Sequence, residues 1–132
     1  MNPSDILPDP TTAGRAAATL IGTTALFQVA LAIGAPWGAA AWGGQHPGVL
    51  PARTRWASAG SALVLASVAV VAGTPDLVGP VLRRRVLVGA TGYFALGTVI
   101  NAASRSPVER AIWTPVALTT AGLLRQATRS VA

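Results

Sequence analysis

The sequence contains no cysteine, no lysine and only one histidine among its 132 residues. The missing cysteines exclude disulfide bonds, thiolate catalysis and cysteine-ligated metals. The single histidine, His46, cannot complete a metal site alone, and the only methionine, Met1, is no partner for it as a haem ligand. No cofactor is therefore predicted.

Charge is also scarce, because charged residues make up 11% of the chain, against about a quarter in an ordinary soluble domain. All ten cations are arginines, and the net charge is +6. The arginines lie singly or as a triplet at the ends of apolar runs. A nucleic-acid-binding domain would instead combine a basic face with a soluble core, so nucleic acid is rejected as a partner.

Hydrophobic residues make up 52% of the sequence and lie in long runs without Asp, Glu, Lys or Arg. A helix needs about 20 apolar residues, within roughly 17–25, to cross the hydrocarbon of a bilayer. The predicted fold class is all-α, an integral membrane bundle of four transmembrane helices. After a polar N-terminal tail at residues 1–13, the transmembrane domain (14–128) is predicted to hold helices at about 14–35, 53–73, 82–103 and 107–126. The fourth helix has a short uncharged core, so it spans only if Arg110 and Arg125 extend to the interfaces. The alternative is that it lies partly on the membrane surface.

The distribution of arginines predicts the orientation. An even number of spans puts both termini on one side, which carries six arginines against four on the other: Arg15, Arg83, Arg84, Arg85, Arg125 and Arg129 against Arg53, Arg55, Arg105 and Arg110. The positive-inside rule then predicts a multi-pass protein of the bacterial cytoplasmic membrane with cytoplasmic termini.

Local signals mark the helix starts. Thr11 or Thr12 is expected to cap the first helix. Ser106-Pro107-Val108-Glu109 matches a capping box, with Ser106 at the N-cap and Glu109 at the third helical position.

The third helix carries Gly89, Tyr93, Gly97 and Asn101 at intervals of four residues, which places them on one side. This side is predicted to face the other helices, with Gly97 at a close helix contact. Gln28, Tyr93 and Asn101 are predicted as polar residues of the bundle interior. They would bond between helices or, in the alternative, line an oligomeric pore.

The stretches IGAPWGAAAWGGQHPGVLPAR and NAASRSPVERAIWTPVAL carry a resemblance. They resemble a family of small bacterial, actinobacterial-type integral membrane proteins with four helices, and the likeness extends over residues 27–118. The family has no assigned activity, so the resemblance implies a fold and adds nothing on function.

One predicted membrane face gathers all four tryptophans and most polar side chains. The candidate binding residues on it are Trp37, Trp42, His46, Arg53, Arg55, Asn101, Arg105, Glu109, Arg110 and Trp113. The tryptophans are typical of an interfacial aromatic belt, and the alternative is an aromatic-lined mouth for a lipid or amphiphile. Glu109 either closes the capping box or forms, with Arg53 or Arg55, a clamp around an anionic headgroup.

The predicted function is non-enzymatic binding of a lipid, a small amphiphile or a partner membrane protein at the tryptophan-rich face. An oligomeric channel or small-solute facilitator is one alternative. A membrane enzyme acting on a lipid headgroup is the other, since His46, Ser104 or Ser106, and Glu109 could form a nucleophilic set. No Gly-x-Ser-x-Gly elbow supports it. The expected partners are membrane lipid and either a second copy of the chain or a partner membrane protein.

Overall fold

A computed structural model describes residues 1–131, which form four α-helices and no strand. The helices are α1 (Pro10–Ala32), α2 (Ala52–Gly73), α3 (Pro80–Ala102) and α4 (Pro107–Thr128). Short 3-10 turns lie at Pro3–Asp5, Gly38–Ala40 and Trp42–Gly44. The predicted all-α class with four helices is confirmed. The first helix begins at Pro10, inside the segment predicted as a tail.

The helices pack as two hairpins that meet along one side. α1 packs most closely against α2, α3 packs against α4, and α1 also packs against α4. Among helices that are neighbours around the bundle, α2 and α3 make the sparsest contacts, so the bundle is open along that side. The segments near the N-terminus and the C-terminus lie side by side, because the Gln126 side-chain amide donates to the Pro8 carbonyl at 2.9 Å.

Small residues set the distances between the helices. The buried face of α1 repeats every four residues with Ala13, Ala17, Ile21 and Ala25. The closest approach is at Gly14, where an added Cβ would lie 2.8 Å from the Ala72 carbonyl oxygen of α2.

Gly97 does not make the close helix contact that its spacing predicts. No atom lies within 4 Å of a Cβ built at Gly97, and the same is true of Gly89. Because α2 and α3 diverge, this stripe of α3 faces open space between them rather than a packed helix.

An arginine near the start of each of α2, α3 and α4 forms a hydrogen bond with the end of the preceding helix. Arg55, Arg83 and Arg110 are each the fourth residue of their helix. Each guanidinium donates to a carbonyl at or just beyond the end of the preceding helix: Arg55 Nε to Ala32 (3.0 Å), Arg83 Nη2 to Ala72 (3.0 Å) and Arg110 Nη1 to Ser104 (2.7 Å). Those carbonyls lack intrahelical partners and lie at the negative end of the helix dipole, so a cation there is favourable.

Two of the four helices within residues 1–131 are long and apolar enough to cross a membrane. These are Pro10–Ala32 and Ala52–Gly73, with mean hydropathies of 1.3 and 1.7. In the apolar stretch of each helix, 22% of the residues are buried. α3, which carries three consecutive arginines near its start, and α4, which carries charges near both ends, do not meet the same criterion.

Candidate functional site

The connection between α1 and α2, residues 33–51, folds into a compact segment that we call the cap loop. The Gly38 N–H donates to the Gly48 carbonyl at 3.0 Å and closes the loop on itself. Only glycine fits at position 38, because a Cβ there would collide with the carbonyl oxygens of His46 and Gly48. The loop therefore has a defined shape rather than that of a free linker.

A small apolar core fixes the cap loop to the end of α1. Leu31, Ala41 and Leu50 are buried together, and the partly buried Phe27 packs against them. Phe27 also stacks with Trp37, with ring centroids 6.0 Å apart and planes at 11°, and lies 4.7 Å from the ring of Trp113.

Hydrogen bonds hold the cap loop over the bundle. The start of α4 supplies three of them: Ser106 Oγ donates to the Ala39 carbonyl, Trp113 Nε1 donates to the Ala40 carbonyl (2.7 Å), and Glu109 Oε1 accepts from the Gly43 N–H (3.4 Å). On the opposite side Trp42 Nε1 donates to Ser58 Oγ of α2 at 3.0 Å. The loop thus bridges α2 and α4.

Glu109 is a buried carboxylate, with only 8% of its surface exposed. Ser106 caps α4 as predicted, since its Oγ accepts from the Glu109 N–H at 3.2 Å. The return half of the capping box is relayed: the Ser106 N–H donates to Ser104 Oγ at 3.2 Å, and the Ser104 hydroxyl donates to Glu109 Oε2. The carboxylate is therefore held by neutral donors.

The predicted clamp between Glu109 and Arg53 or Arg55 is not formed. Arg55 uses its Nε on the Ala32 carbonyl, and the side chain of Arg53 is exposed. Helix-end carbonyls attract the guanidinium more directly than the distant carboxylate does. Arg105, Arg110 and His46 are likewise exposed on the surface of this end.

A cavity of about 500 Å³ lies beneath the cap loop and is bounded by all four helices. Its walls are mainly apolar and aromatic, including Phe27, Trp42, Leu65, Phe94, Leu96, Ile100, Trp113 and Val116. Its polar side chains are Thr24, Gln28, Ser61, Tyr93, Asn101 and Glu109. We call it the cap-side cavity.

Six of the residues singled out from the sequence line the cap-side cavity. They are Trp42, Asn101, Glu109 and Trp113 of the binding set, and Gln28 and Tyr93 of the interior polar set. Trp37 packs behind the cavity on Phe27, and Trp56 is 79% exposed. The tryptophans thus divide between cavity walls and surface positions.

Gln28, which lines the cap-side cavity, has a side-chain oxygen that lacks a hydrogen-bond donor. Its Oε1 atom is buried and has no hydrogen-bond partner. Leaving a buried acceptor unpaired costs about 1–3 kcal/mol. The polar position near the middle of α1 was visible in the sequence, but its lack of a partner depends on the open side of the bundle.

A second cavity of about 520 Å³ continues along the open side between α2 and α3. It shares Ser61, Leu65, Tyr93 and Phe94 with the cap-side cavity. Its further walls include Val64, Val68, Arg85, Val86 and Gly89. The two cavities are therefore adjacent along the α2 and α3 side, and we call the pair together the α2–α3 groove.

Comparison with protein-family models, curated proteins and solved structures found no match to this chain. The class that the fold and site define is an all-α four-helix protein with a largely apolar cavity beneath a folded cap loop. Its function is argued below from the residues of that cavity.

Proposed function

We propose that this protein is a multi-pass membrane protein that binds a lipid or small amphiphile in the cap-side cavity, without catalysing a reaction on it. The observation that carries the proposal is the cavity of about 500 Å³ with apolar and aromatic walls and a few convergent polar groups. Ligand sites in proteins typically have volumes of about 300–1,000 Å³ and linings of this kind.

The outer surface supports a membrane location for all four helices. Large apolar side chains are exposed on every helix, including Leu26, Leu63, Val64, Leu96, Val99 and Leu118. Exposing them to water costs about 25 cal/mol per Å² of apolar surface, and lipid removes that cost. We place the protein in the bacterial cytoplasmic membrane with both termini in the cytoplasm, from the arginine distribution.

The hydroxyl groups of the helices support the same location. Seven Ser and Thr side chains donate to the carbonyl four residues earlier in their own helix: Thr19, Thr23, Thr24, Ser67, Thr91, Thr98 and Thr120. In hydrocarbon a polar group must be satisfied within the protein. These hydroxyls need no water to complete their hydrogen bonds.

The cap loop favours a binding site over the alternative functions. Ala40 and Trp42 of the loop form one wall of the cavity, which a continuous pore would leave open. His46, which a nucleophilic set would need, is exposed and is not among the residues that line the cavity. Ser104 and Ser106 are committed to hydrogen bonds at the start of α4.

Mass spectrometry of the intact protein, released from mild detergent, tests the proposal. The wild-type protein is expected to retain a bound amphiphile. Gly97→Leu should lose it, because that side chain would enter the cavity from a position with free space around it. Gly122→Leu is the matched control, since Gly122 is also unobstructed but does not line the cavity. Equal retention by both variants would overturn the proposal.

A further inference from the structure

We infer that the ligand is a cationic amphiphile, an alkyl chain with a primary ammonium head, whose head lies between Glu109 and Gln28. The inference rests on the proposed function and adds the chemical class of the ligand. It differs from the alternative role that the sequence suggested for Glu109, a clamp with Arg53 or Arg55 around an anionic headgroup.

The charge in the cap-side cavity indicates a cationic ligand. Glu109 is the only charged side chain among the residues that line it. The Ser104 hydroxyl and the Gly43 N–H donate to its carboxylate, and both are neutral, so they do not balance its charge. Arg110, the residue that follows Glu109, is exposed, and its guanidinium donates to the Ser104 carbonyl. A buried carboxylate without a counter-charge is costly, and a ligand cation would supply one.

The unpaired acceptor of Gln28 indicates a ligand head that donates hydrogen bonds. Gln28 Oε1 is buried and needs a hydrogen-bond donor, and Gln28 is one of the residues that line the same cavity as Glu109. A primary ammonium group has three N–H donors, so one head can serve both oxygen acceptors. Trp42 and Trp113 also line the cavity, and aromatic rings attract ammonium groups. An anionic or purely acceptor head would leave Gln28 Oε1 unpaired.

The α2–α3 groove gives the orientation of the chain. From the cap-side cavity it continues between apolar side chains such as Val64, Val68 and Val86. Arg85 lines its far part and would repel a cation placed there. The ammonium head therefore lies at the Glu109 end and the alkyl chain extends along the groove.

Calorimetric titration of the purified full chain in an uncharged maltoside detergent tests the inference. The probes are decylammonium, decanol and decanoate, with heats from empty micelles subtracted. We expect decylammonium to bind the wild type about tenfold more tightly than decanol, as expected for a hydrogen bond to a charged group. Glu109→Gln should remove this preference, so that decylammonium and decanol bind about equally tightly.

A second variant is needed because Glu109→Gln could also weaken the hydrogen bonds that hold the cap loop. Gln28→Leu leaves those contacts intact and should weaken decylammonium binding relative to decanol. Gln45→Leu, at an exposed position of the cap loop, is the matched control and should bind like the wild type.

The outcomes separate the two proposals. Loss of the decylammonium preference in Glu109→Gln and Gln28→Leu, but not in Gln45→Leu, supports the inference. Equal binding of the three probes to the wild type overturns it and leaves amphiphile binding standing. If no probe binds, or if Gly97→Leu binds all three unchanged, both the inference and the proposed function are wrong.

Discussion

Single residues of the same type have different roles in this protein, according to what surrounds them. Gly14 lets α1 approach the Ala72 carbonyl, Gly38 lets the cap loop close, and Gly97 leaves space in the cavity. The regular spacing of the glycines on α3 predicts a shared face correctly. It does not reveal whether a neighbour occupies that face.

Gly14→Ala is expected to destabilise the protein by about 1–3 kcal/mol, the usual cost of overpacking. The added methyl group would lie 2.8 Å from the Ala72 oxygen, and a backbone carbonyl cannot move aside as a flexible side chain can. Gly22→Ala on the same helix meets nothing within 4 Å and should be neutral or stabilising. Thermal unfolding in detergent compares the two variants, and equal midpoints would contradict the close contact at Gly14.

Asp9, rather than Thr11 or Thr12, caps α1. Its Oδ1 accepts the N–H groups of Thr11 and Thr12 at 3.0 and 3.1 Å. Hydrogen bonds from Thr12, the side chain first and then the backbone, together with the Thr11 N–H, lower the pKa of Asp9 below 3.8. Because the folded pKa is depressed, the stabilisation is fully present above the unfolded value and is lost as the pH falls through the folded pKa.

The pH dependence of unfolding checks this cap. In acid, the wild type should lose the contribution of Asp9, whereas Asp9→Asn, which can still cap but does not titrate, should lack that part of the acid dependence. An unchanged acid profile in Asp9→Asn would mean that the titration of Asp9 does not contribute to the stability of the protein.

At the scale of the helix, the arginines near the starts of α2, α3 and α4 donate hydrogen bonds to carbonyls at the end of the preceding helix. The sequence places Arg55, Arg83 and Arg110 at helix ends, where cations also indicate membrane topology. Their carbonyl partners follow from the turns that bring successive helices side by side. Both roles are compatible in the proposed membrane location, where the helix-end carbonyls would lie at the level of the membrane interfaces.

Arg55→Met is expected to cost up to about 1.5–3 kcal/mol, the range for hydrogen bonds to charged groups. The loss arises because the Ala32 carbonyl gives up its guanidinium donor at the end of α1. Arg53→Met, two residues earlier and exposed, is the matched control and should change stability by less than about 0.5 kcal/mol. Chemical unfolding of both variants measures the difference. Similar effects at the two positions would show that the Ala32 contact contributes nothing.

At the scale of the whole molecule, the order of the helices creates the candidate site. α1 joins α2 on one side and α4 on the other, so α2 and α3 remain apart although they follow each other in the chain. The two cavities that make up the α2–α3 groove lie along that opening. The cap loop then covers one end and directs Glu109 inward.

The proposed orientation predicts where introduced cysteines react, and the native chain has no cysteine to interfere. Gln45→Cys, in the cap loop, should be labelled by a membrane-impermeant thiol reagent in intact cells. Asp76→Cys, in the exposed turn after α2, should be labelled only after lysis. The opposite pattern would place the termini outside the cytoplasm.

The sequence by itself determined the elements and the approximate place of the site. Runs without charge marked four helices, and the Ser106 box marked the start of α4, because both signals depend on neighbouring residues only. The same local reading gathered Trp42, Glu109 and Trp113 at one end. Tertiary structure decided which groups these residues contact. The Glu109 carboxylate accepts hydrogen bonds from Ser104 and Gly43 rather than from an arginine. Gly97 faces open space rather than a packed helix. Those outcomes depend on which helices pack together, and packing between distant segments has no signature in the local pattern that each segment carries.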